Sequence, residues 1–189
     1  MTLQIDLKSA VLALSDALDL VGVNDFQHGK RVAMIARKSA FLLGLPEERL
    51  DNLVCAGLLH DIGVSSTAMH RRLVHDSECN ERHAHCERGH ELLLPFVHLS
   101  LLAKAIRYHH TPWSELPSGL SEADAIESNL IFLADRVDSV LLREGLENPL
   151  LHREAICDEI QALAGHLLAP EVVSAFLGAS ANEAFWISL

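Results

Sequence analysis

Apolar residues recur at helical spacing through nearly the whole chain. In the first segment, Leu7, Val11, Leu14, Leu18 and Val21 fall three or four positions apart and would line one face of a helix. No run of alternating apolar and polar residues competes with this pattern. The periodicity predicts an all-α bundle of about seven to nine helices, formed by residues 1–189 as a single domain.

Local signals predict where the helices begin and end. Asn24 or Asp25 is expected to cap a second helix that runs to Gly44, and Pro46 to open a third helix that Gly63 would end. Residues 64–82 are polar and predict a loop with at most a short helix. Further helices are expected at about Glu81–Leu94, Leu99–His109, Glu122–Arg143, Leu151–Ala164 and Glu171–Leu177. Residues 1–22 would then pack on a core of 24–138, followed by C-terminal helices in 149–189.

The acidic composition narrows the range of partners. There are 15 Lys and Arg against 26 Asp and Glu, a formal net charge of −11, whereas nucleic acid or an anionic membrane surface usually requires a basic patch. The N-terminal segment lacks the basic start of a signal peptide, so neither export nor a membrane span is expected. Four scattered cysteines without a C-x-x-C pair predict reduced thiols in the cytoplasm.

Histidine is unusually frequent in the middle of the chain. Nine of the 12 histidines lie between His60 and His110. The pairs His60-Asp61 and His109-His110 each follow an apolar helical run, where an unpaired buried polar group costs about 1 to 3 kcal/mol. Each pair therefore needs polar partners. Either the side chains cap the helix end and form salt bridges, or they bind a metal ion.

Taken together, the candidate donors favour the metal. Five predicted helices contribute five imidazoles and two carboxylates, namely His28, His60, Asp61, His85, His109, His110 and Asp135. This set exceeds the three or four protein ligands of one zinc ion and suits two ions that share a bridging carboxylate. Paired ions of this kind commonly serve phosphoester hydrolysis.

Three further residues lie beside these donors. Asp138, one turn after Asp135, is either a hydrogen-bond partner of a ligand histidine or an ordinary surface acid. Arg31 shares a helix face with His28, and Arg136 follows Asp135 directly. Each arginine is either a phosphate-binding group or one half of a structural salt bridge.

The order and spacing of five motifs resemble the HD-domain metal-dependent phosphohydrolases, and within them the HD-GYP branch of cyclic-di-GMP phosphodiesterases. The motifs are QHGKRVAMIA, AGLLHDIG, HCERGHELL, IRYHH and LADRVDSVL, between about Asn24 and Asp138. The resemblance implies an HD-type helical bundle in which all seven donors bind metal, and Asp61 is the catalytic residue that bridges two divalent ions. It implies iron or manganese, with zinc or nickel as alternatives, and attack of hydroxide on phosphorus.

The sequence departs from the HD-GYP pattern at several positions. Val64 stands where the branch has Lys after HDIG, and TPWSELPSGL replaces the Gly-Tyr-Pro loop. Asn24 stands where members with three metals carry Glu, which favours two ions over three. The Arg-Pro-Tyr-Arg stretch of the family is also replaced, by residues 139–144.

These features lead to three hypotheses about function. The leading one is a phosphohydrolase with two metal ions, acting as a phosphodiesterase on a phosphate-containing small molecule such as a nucleotide or a cyclic dinucleotide. The second is a signalling module that binds metal or nucleotide with little turnover and regulates a partner domain; the third is a metal-free scaffold. The apolar C-terminal residues Phe185, Trp186, Ile187 and Leu189 must dock on the bundle, close a dimer or continue into an additional signalling domain.

Overall fold

The computed structural model describes residues 6–20, 27–64, 81–145 and 148–189, and residues 81 and 82 only as backbone. Within these ranges the chain forms nine α-helices and no strand, which confirms the predicted all-α fold. The helices are α1 (Leu7–Asp19), α2 (His28–Leu42), α3 (Glu47–Leu59), α4 (Glu81–Leu93), α5 (Ala103–Tyr108), α6 (Glu122–Glu144), α7 (Arg153–Ala162), α8 (Pro170–Ser180) and α9 (Glu183–Ile187). Short 3-10 turns occupy Ser100–Leu102, Trp113–Glu115 and Pro149–His152.

Helices α2 and α6 form the centre of the bundle. Helix α6 begins where the Ser121 side chain accepts a hydrogen bond from the Asp124 backbone N–H, and its apolar residues are buried along most of its length. Helix α2 packs against α3, α6 and α8. At the contact between α2 and α3, a Cβ atom on Gly57 would lie 2.6 Å from the Ala33 Cα. The two backbones therefore touch, and this brings the start of α2 beside the end of α3.

The end of the third helix differs from the sequence prediction. The helix stops at Leu59, and His60 occupies the C-cap position, whereas the sequence had suggested Gly63 as the terminating residue. Gly63 is absent from the glycines with positive φ. A Cβ atom there would instead overlap the backbone carbonyl of His85. Glycine is thus required at this position for close backbone packing. The predicted caps Asn24 and Asp25, and the loop over residues 65–80, lie outside the described residues.

The C-terminal apolar segment docks on the bundle through Phe185 and Trp186, one of the predicted alternatives, whereas Ile187 is 74% exposed. Phe185 and Trp186 are buried in α9, and the Trp186 indole N–H donates to the Ser180 carbonyl over 2.7 Å. Cys55, Cys86 and Cys157 are free thiols, and the fourth cysteine, Cys79, lies outside the described residues. In the described part of the chain, every helix is too short or too polar to span a bilayer.

Candidate metal centre

Seven side chains from five parts of the fold meet in one cluster. His28 begins α2, His60 and Asp61 follow α3, His85 lies on α4, His109 and His110 follow α5, and Asp135 lies on α6. The structure thus brings together all the residues that the sequence singled out as donors. His60, His85 and His109 are buried, and the others are partly buried.

The donor atoms form two groups that share one carboxylate. Asp61, His85, His109 and His110 make up one group, and His28, His60 and Asp61 the other; within each group the candidate ligand atoms lie within 4.8 Å of one another. Asp61 Oδ2 lies 3.4 Å from His60 Nε2, whereas Asp61 Oδ1 lies 3.3 Å from His85 Nε2. The two oxygens of Asp61 therefore face different groups, as a bridging carboxylate requires.

Asp135 also lies between the two groups. Its Oδ1 is 3.4 Å from His28 Nε2, and its Oδ2 is 3.9 Å from His110 Nδ1. Asp135 is supplied by the central helix α6, whereas Asp61 lies on the turn that follows α3. Two carboxylates and five imidazoles thus surround a common space.

Hydrogen bonds on the outer side fix the orientation of three imidazoles. His60 Nδ1 lies 2.8 Å from the Gly57 carbonyl oxygen, and His109 Nδ1 lies 2.6 Å from the Ile106 carbonyl oxygen. A carbonyl oxygen only accepts, so both rings carry a proton on Nδ1 and direct the Nε2 lone pair toward the cluster. His28 Nδ1 is held in the same way by Asp138 Oδ2, at 2.7 Å. This outer hydrogen bonding is typical of metal-ligating histidines.

The facing nitrogens test whether a metal ion fits. His28 Nε2 lies 3.1 Å from His60 Nε2, and His85 Nε2 lies 3.3 Å from His109 Nε2. His28 and His60 both carry a proton on the outer Nδ1, so as neutral rings these two would direct lone pairs at each other, and a proton or a cation must lie between them. Imidazole and carboxylate donors suit divalent transition-metal ions. The residues present therefore fit a metal.

The carboxylates give the metal-free cluster a strong affinity for protons. Burial alone would lower the pKa of His28, but its hydrogen bond to Asp138 and the neighbouring acidic charges raise that pKa to about 9. Burial likewise opposes the charge on His85, yet Asp61 raises the pKa of His85 to about 10. Burial raises the pKa of Asp61, and the charges of His60 and His85 reverse this and hold it well below its usual value. Cations are thus favoured at this position.

Behind His28, Asp138 and Arg31 form a buried ion pair. The Arg31 guanidinium donates through Nε to Asp138 Oδ1 over 2.5 Å and through Nη2 to Oδ2 over 2.9 Å. Asp138 has no exposed surface, so the alternative of a surface acid was wrong and that of a hydrogen-bond partner is confirmed. For Arg31 the structure shows the salt bridge. Arg136 is partly buried, and its guanidinium carbon lies 5.6 Å from the centre of the Phe132 ring.

Two features of the cluster had no clear signal in the sequence. The buried thiol of Cys86 lies 3.7 Å from His85 Nε2 and 3.5 Å from His109 Nδ1; its place next to His85 was the only indication. Gln27, which precedes His28, has a positive φ of 65°, and its N–H donates to Asp19 Oδ2 over 3.1 Å. Non-glycine residues rarely adopt this conformation except where the surroundings impose it.

An all-α bundle in which one carboxylate joins two groups of His and Asp side chains is typical of proteins that bind two metal ions with His and Asp ligands. Comparison with known proteins identifies the family. The HD domain family model matches residues 25–140. The 3'3'-cGAMP-specific phosphodiesterase 1 of Vibrio cholerae is 35% identical over 190 residues, which cover 98% of this chain and 44% of the relative. The chain therefore belongs to the HD-domain family.

Two further comparisons agree with this assignment. A cyclic di-GMP phosphodiesterase of Thermotoga maritima is 31% identical over 162 residues, which cover 80% of this chain and 43% of the relative. The crystal structure of a cyclic GMP-AMP specific phosphodiesterase of Vibrio cholerae matches the fold with a TM-score of 0.72 at 21% sequence identity, over 95% of this chain and 50% of that chain. The chain spans less than half the length of the two phosphodiesterases compared by sequence, 3'3'-cGAMP-specific phosphodiesterase 1 and the cyclic di-GMP phosphodiesterase.

Proposed function

We propose that this chain is a metal-dependent phosphodiesterase that hydrolyses a cyclic dinucleotide at a centre of two divalent metal ions. The observation that carries the proposal is the position of Asp61, whose two oxygens face two different groups of donors. A carboxylate in that position can hold two ions close together. The retention of all seven donors, each aimed into one space, supports catalysis over a metal-free scaffold.

Each part of the site has a distinct task in this proposal. When bound, two metal ions supply Lewis acidity that activates water and neutralises charge on the phosphoryl oxygens. Asp61 and Asp135 hold the two positions together, and the histidines complete them. Asp138 fixes the ring of His28 and is itself fixed by Arg31. Arg136, beside Asp135, is our candidate for a donor to a substrate phosphate.

The substrate class is inferred from the relatives. Both curated relatives described above are named as phosphodiesterases of cyclic dinucleotides. A cyclic dinucleotide carries two phosphodiesters, so an acidic protein would need local positive charge to bind it. The metal ions and Arg136 would supply that charge. Iron or manganese is the expected metal because the family resemblance implies it. Zinc and nickel are alternatives because imidazole and carboxylate donors also accept them.

A binding module is the second candidate, and the surroundings of the site supply the reason. Val64 is buried at 8% exposure, where HD-GYP proteins carry a lysine after HDIG. The segment after His110 is held to the connection between α7 and α8, since the Trp113 N–H donates to the Leu167 carbonyl over 3.0 Å. A module that binds a nucleotide or metal and regulates another domain would keep the seven donors but would not need the lysine and the Gly-Tyr-Pro loop of the HD-GYP branch.

One experiment separates the two candidates. The protein is purified without oxygen, loaded with Mn²⁺ or Fe²⁺ and analysed for bound metal. The same sample is then incubated with 3'3'-cGAMP, cyclic di-GMP and a generic aryl phosphodiester. About two ions with turnover would support the phosphodiesterase, and about two ions without turnover would support the binding module. Less than one tightly bound ion per chain would overturn the proposed metal centre.

A further inference from the structure

We propose that Gly63, Gly89 and Arg88 form a spacer contact that sets the distance between Asp61 and His85 and thereby holds one of the two metal positions. This inference rests on the proposed function, because it concerns how the second ion is held. Gly63 lies two residues after Asp61, and Gly89 lies one turn after His85 on α4. The spacer contact therefore joins the two backbone segments that carry these donors. None of its three residues is one of the seven donors, so they act as positioning residues.

The contact is made by backbone atoms on both sides. A Cβ atom on Gly63 would overlap the His85 carbonyl and lie 2.7 Å from the Gly89 nitrogen. A Cβ atom on Gly89 would lie 2.9 Å from Cγ2 of Ile106 and 3.5 Å from the Gly63 nitrogen. Backbone atoms cannot rotate away as side-chain ends can. A single added methyl group at Gly63 must therefore push α4 away from the turn that carries Asp61.

Arg88 closes the contact from the side. Its Nη1 donates to the Gly63 carbonyl oxygen over 2.5 Å, in a partly buried position. The hydrogen bond holds the turn against α4, and the two glycines let the backbones approach. Both effects act on the same distance.

The two donor groups depend on this distance to different extents. His60 and Asp61 are neighbours on one turn, so their 3.4 Å separation does not involve α4. The 3.3 Å between His85 Nε2 and Asp61 Oδ1 does, because these atoms belong to opposite sides of the spacer contact. Widening the contact should therefore empty the position formed by Asp61, His85, His109 and His110. The position formed by His28, His60 and Asp61 should keep its ion.

The test compares Gly63→Ala with Gly119→Ala, since a Cβ atom on Gly119 would meet open space. Each protein is titrated with Mn²⁺, and bound metal is measured together with the electron paramagnetic resonance spectrum, which distinguishes a coupled pair from an isolated ion. We expect about two coupled ions in the wild type and in Gly119→Ala. In Gly63→Ala we expect about one ion with the spectrum of an isolated Mn²⁺. Two coupled ions bound with unchanged affinity in folded Gly63→Ala would overturn the spacer contact.

A second variant covers the case in which Gly63→Ala does not fold. Arg88→Met removes the hydrogen bond to Gly63 but keeps an apolar side chain of similar length. We expect it to weaken binding of one ion at least about tenfold while the other ion is unaffected, and Arg88→Lys to restore part of that loss. Equal weakening of both ions, or none, would contradict the proposal. If the wild type itself binds fewer than about two ions, the proposed function fails and the spacer inference fails with it.

Discussion

The Asp138 carboxylate lies behind His28, with Oδ2 2.7 Å from the ring Nδ1. The same carboxylate accepts two hydrogen bonds from Arg31. Its negative charge is therefore balanced by the guanidinium, although the carboxylate is completely buried. Its pKa lies below the usual value because the bonds from His28 and Arg31 outweigh the effect of burial. One carboxylate thus links the orientation of a proposed metal ligand, His28, to the stability of the core.

The substitution Asp138→Asn should weaken both metal binding and folding. The amide NH₂ group would face a donor on Arg31 or His28, and the buried guanidinium would lose its counter-charge. Breaking a buried pair in this way costs about 3 to 5 kcal/mol, and loss of the hydrogen bond behind a ligand costs about 10- to 100-fold in metal affinity. Urea unfolding and a Mn²⁺ titration measure the two effects.

The matched control for Asp138→Asn is Glu159→Gln, which removes the carboxylate of an ion pair on the protein surface. Glu159 Oε2 lies 2.6 Å from Arg143 Nη2, and the exposed fractions of the Arg143 and Glu159 side chains are 58% and 39%. Solvent screens such a pair, so this change should leave stability and metal binding nearly as in the wild type. If the two variants behaved alike, the special role of Asp138 would be excluded.

The substitution Asp61→Asn should remove most of the bound metal and abolish hydrolysis. Asn keeps the shape of Asp61 but loses the charge and one of the two oxygens that face the donor groups. Metal analysis and turnover of a cyclic dinucleotide test this expectation, with the exposed Asp158→Asn as the control. Retention of stoichiometric metal in Asp61→Asn would disprove the bridging role.

Metal binding should release protons. In the metal-free protein the pKa values of His28 and His85 are raised to about 9 and about 10, so both rings are protonated at about pH 7.5, above their unperturbed value near 6.5. Burial instead holds the pKa of His109 well below its usual value, so this ring is already neutral and adds no proton to the release.

The expected release is therefore about two protons per chain on full loading, and the apparent affinity should rise with pH up to about 9 to 10. Calorimetric titrations with Mn²⁺ in two buffers of different ionisation enthalpy measure the number of protons. The Asp61→Asn protein serves as the control and should release few. A binding enthalpy that does not depend on the buffer would contradict this account of the cluster.

The substitution Gly57→Ala should destabilise the bundle and disturb the site together. The added methyl group would lie 2.6 Å from the Ala33 Cα, and overpacking against backbone costs about 1 to 3 kcal/mol, more than Ala gains in helix propensity. Separation of α2 from α3 would also move His28 away from His60. Gly178→Ala is the control, because its Cβ atom would meet only the end of the Leu42 side chain. Urea unfolding should show a loss of stability for Gly57→Ala alone.

The sequence was most informative where local signals and burial agree. Helix α6 was expected at about Glu122–Arg143 and runs from Glu122 to Glu144, because Ser121 is a strong cap and a continuous apolar pattern follows it. The seven proposed donors could be singled out because each stands at an apolar helix end or within a family motif. Both kinds of signal can be read without knowledge of the tertiary structure.

The remaining features depend on contacts that are distant in sequence. Gly63 looks like a helix terminator in the sequence, and only the packing of α4 shows that the His85 carbonyl requires a glycine there. The position of Asp138, one turn after Asp135, fits an exposed acidic residue as well as a buried one that faces the site. The choice between them follows from Arg31, which lies 107 residues earlier. Local periodicity carries no information on such pairings.

The hydrogen bond between His28 and Asp138 joins residues that are 110 positions apart. Closing so long a segment carries an entropic cost that must be met before the contact can contribute to stability, so such contacts form late in folding. During synthesis, His28 leaves the ribosome long before the helix that orients it exists. An emerging chain therefore cannot assemble this donor set early, and the metal ions would be taken up only by a bundle that is nearly complete.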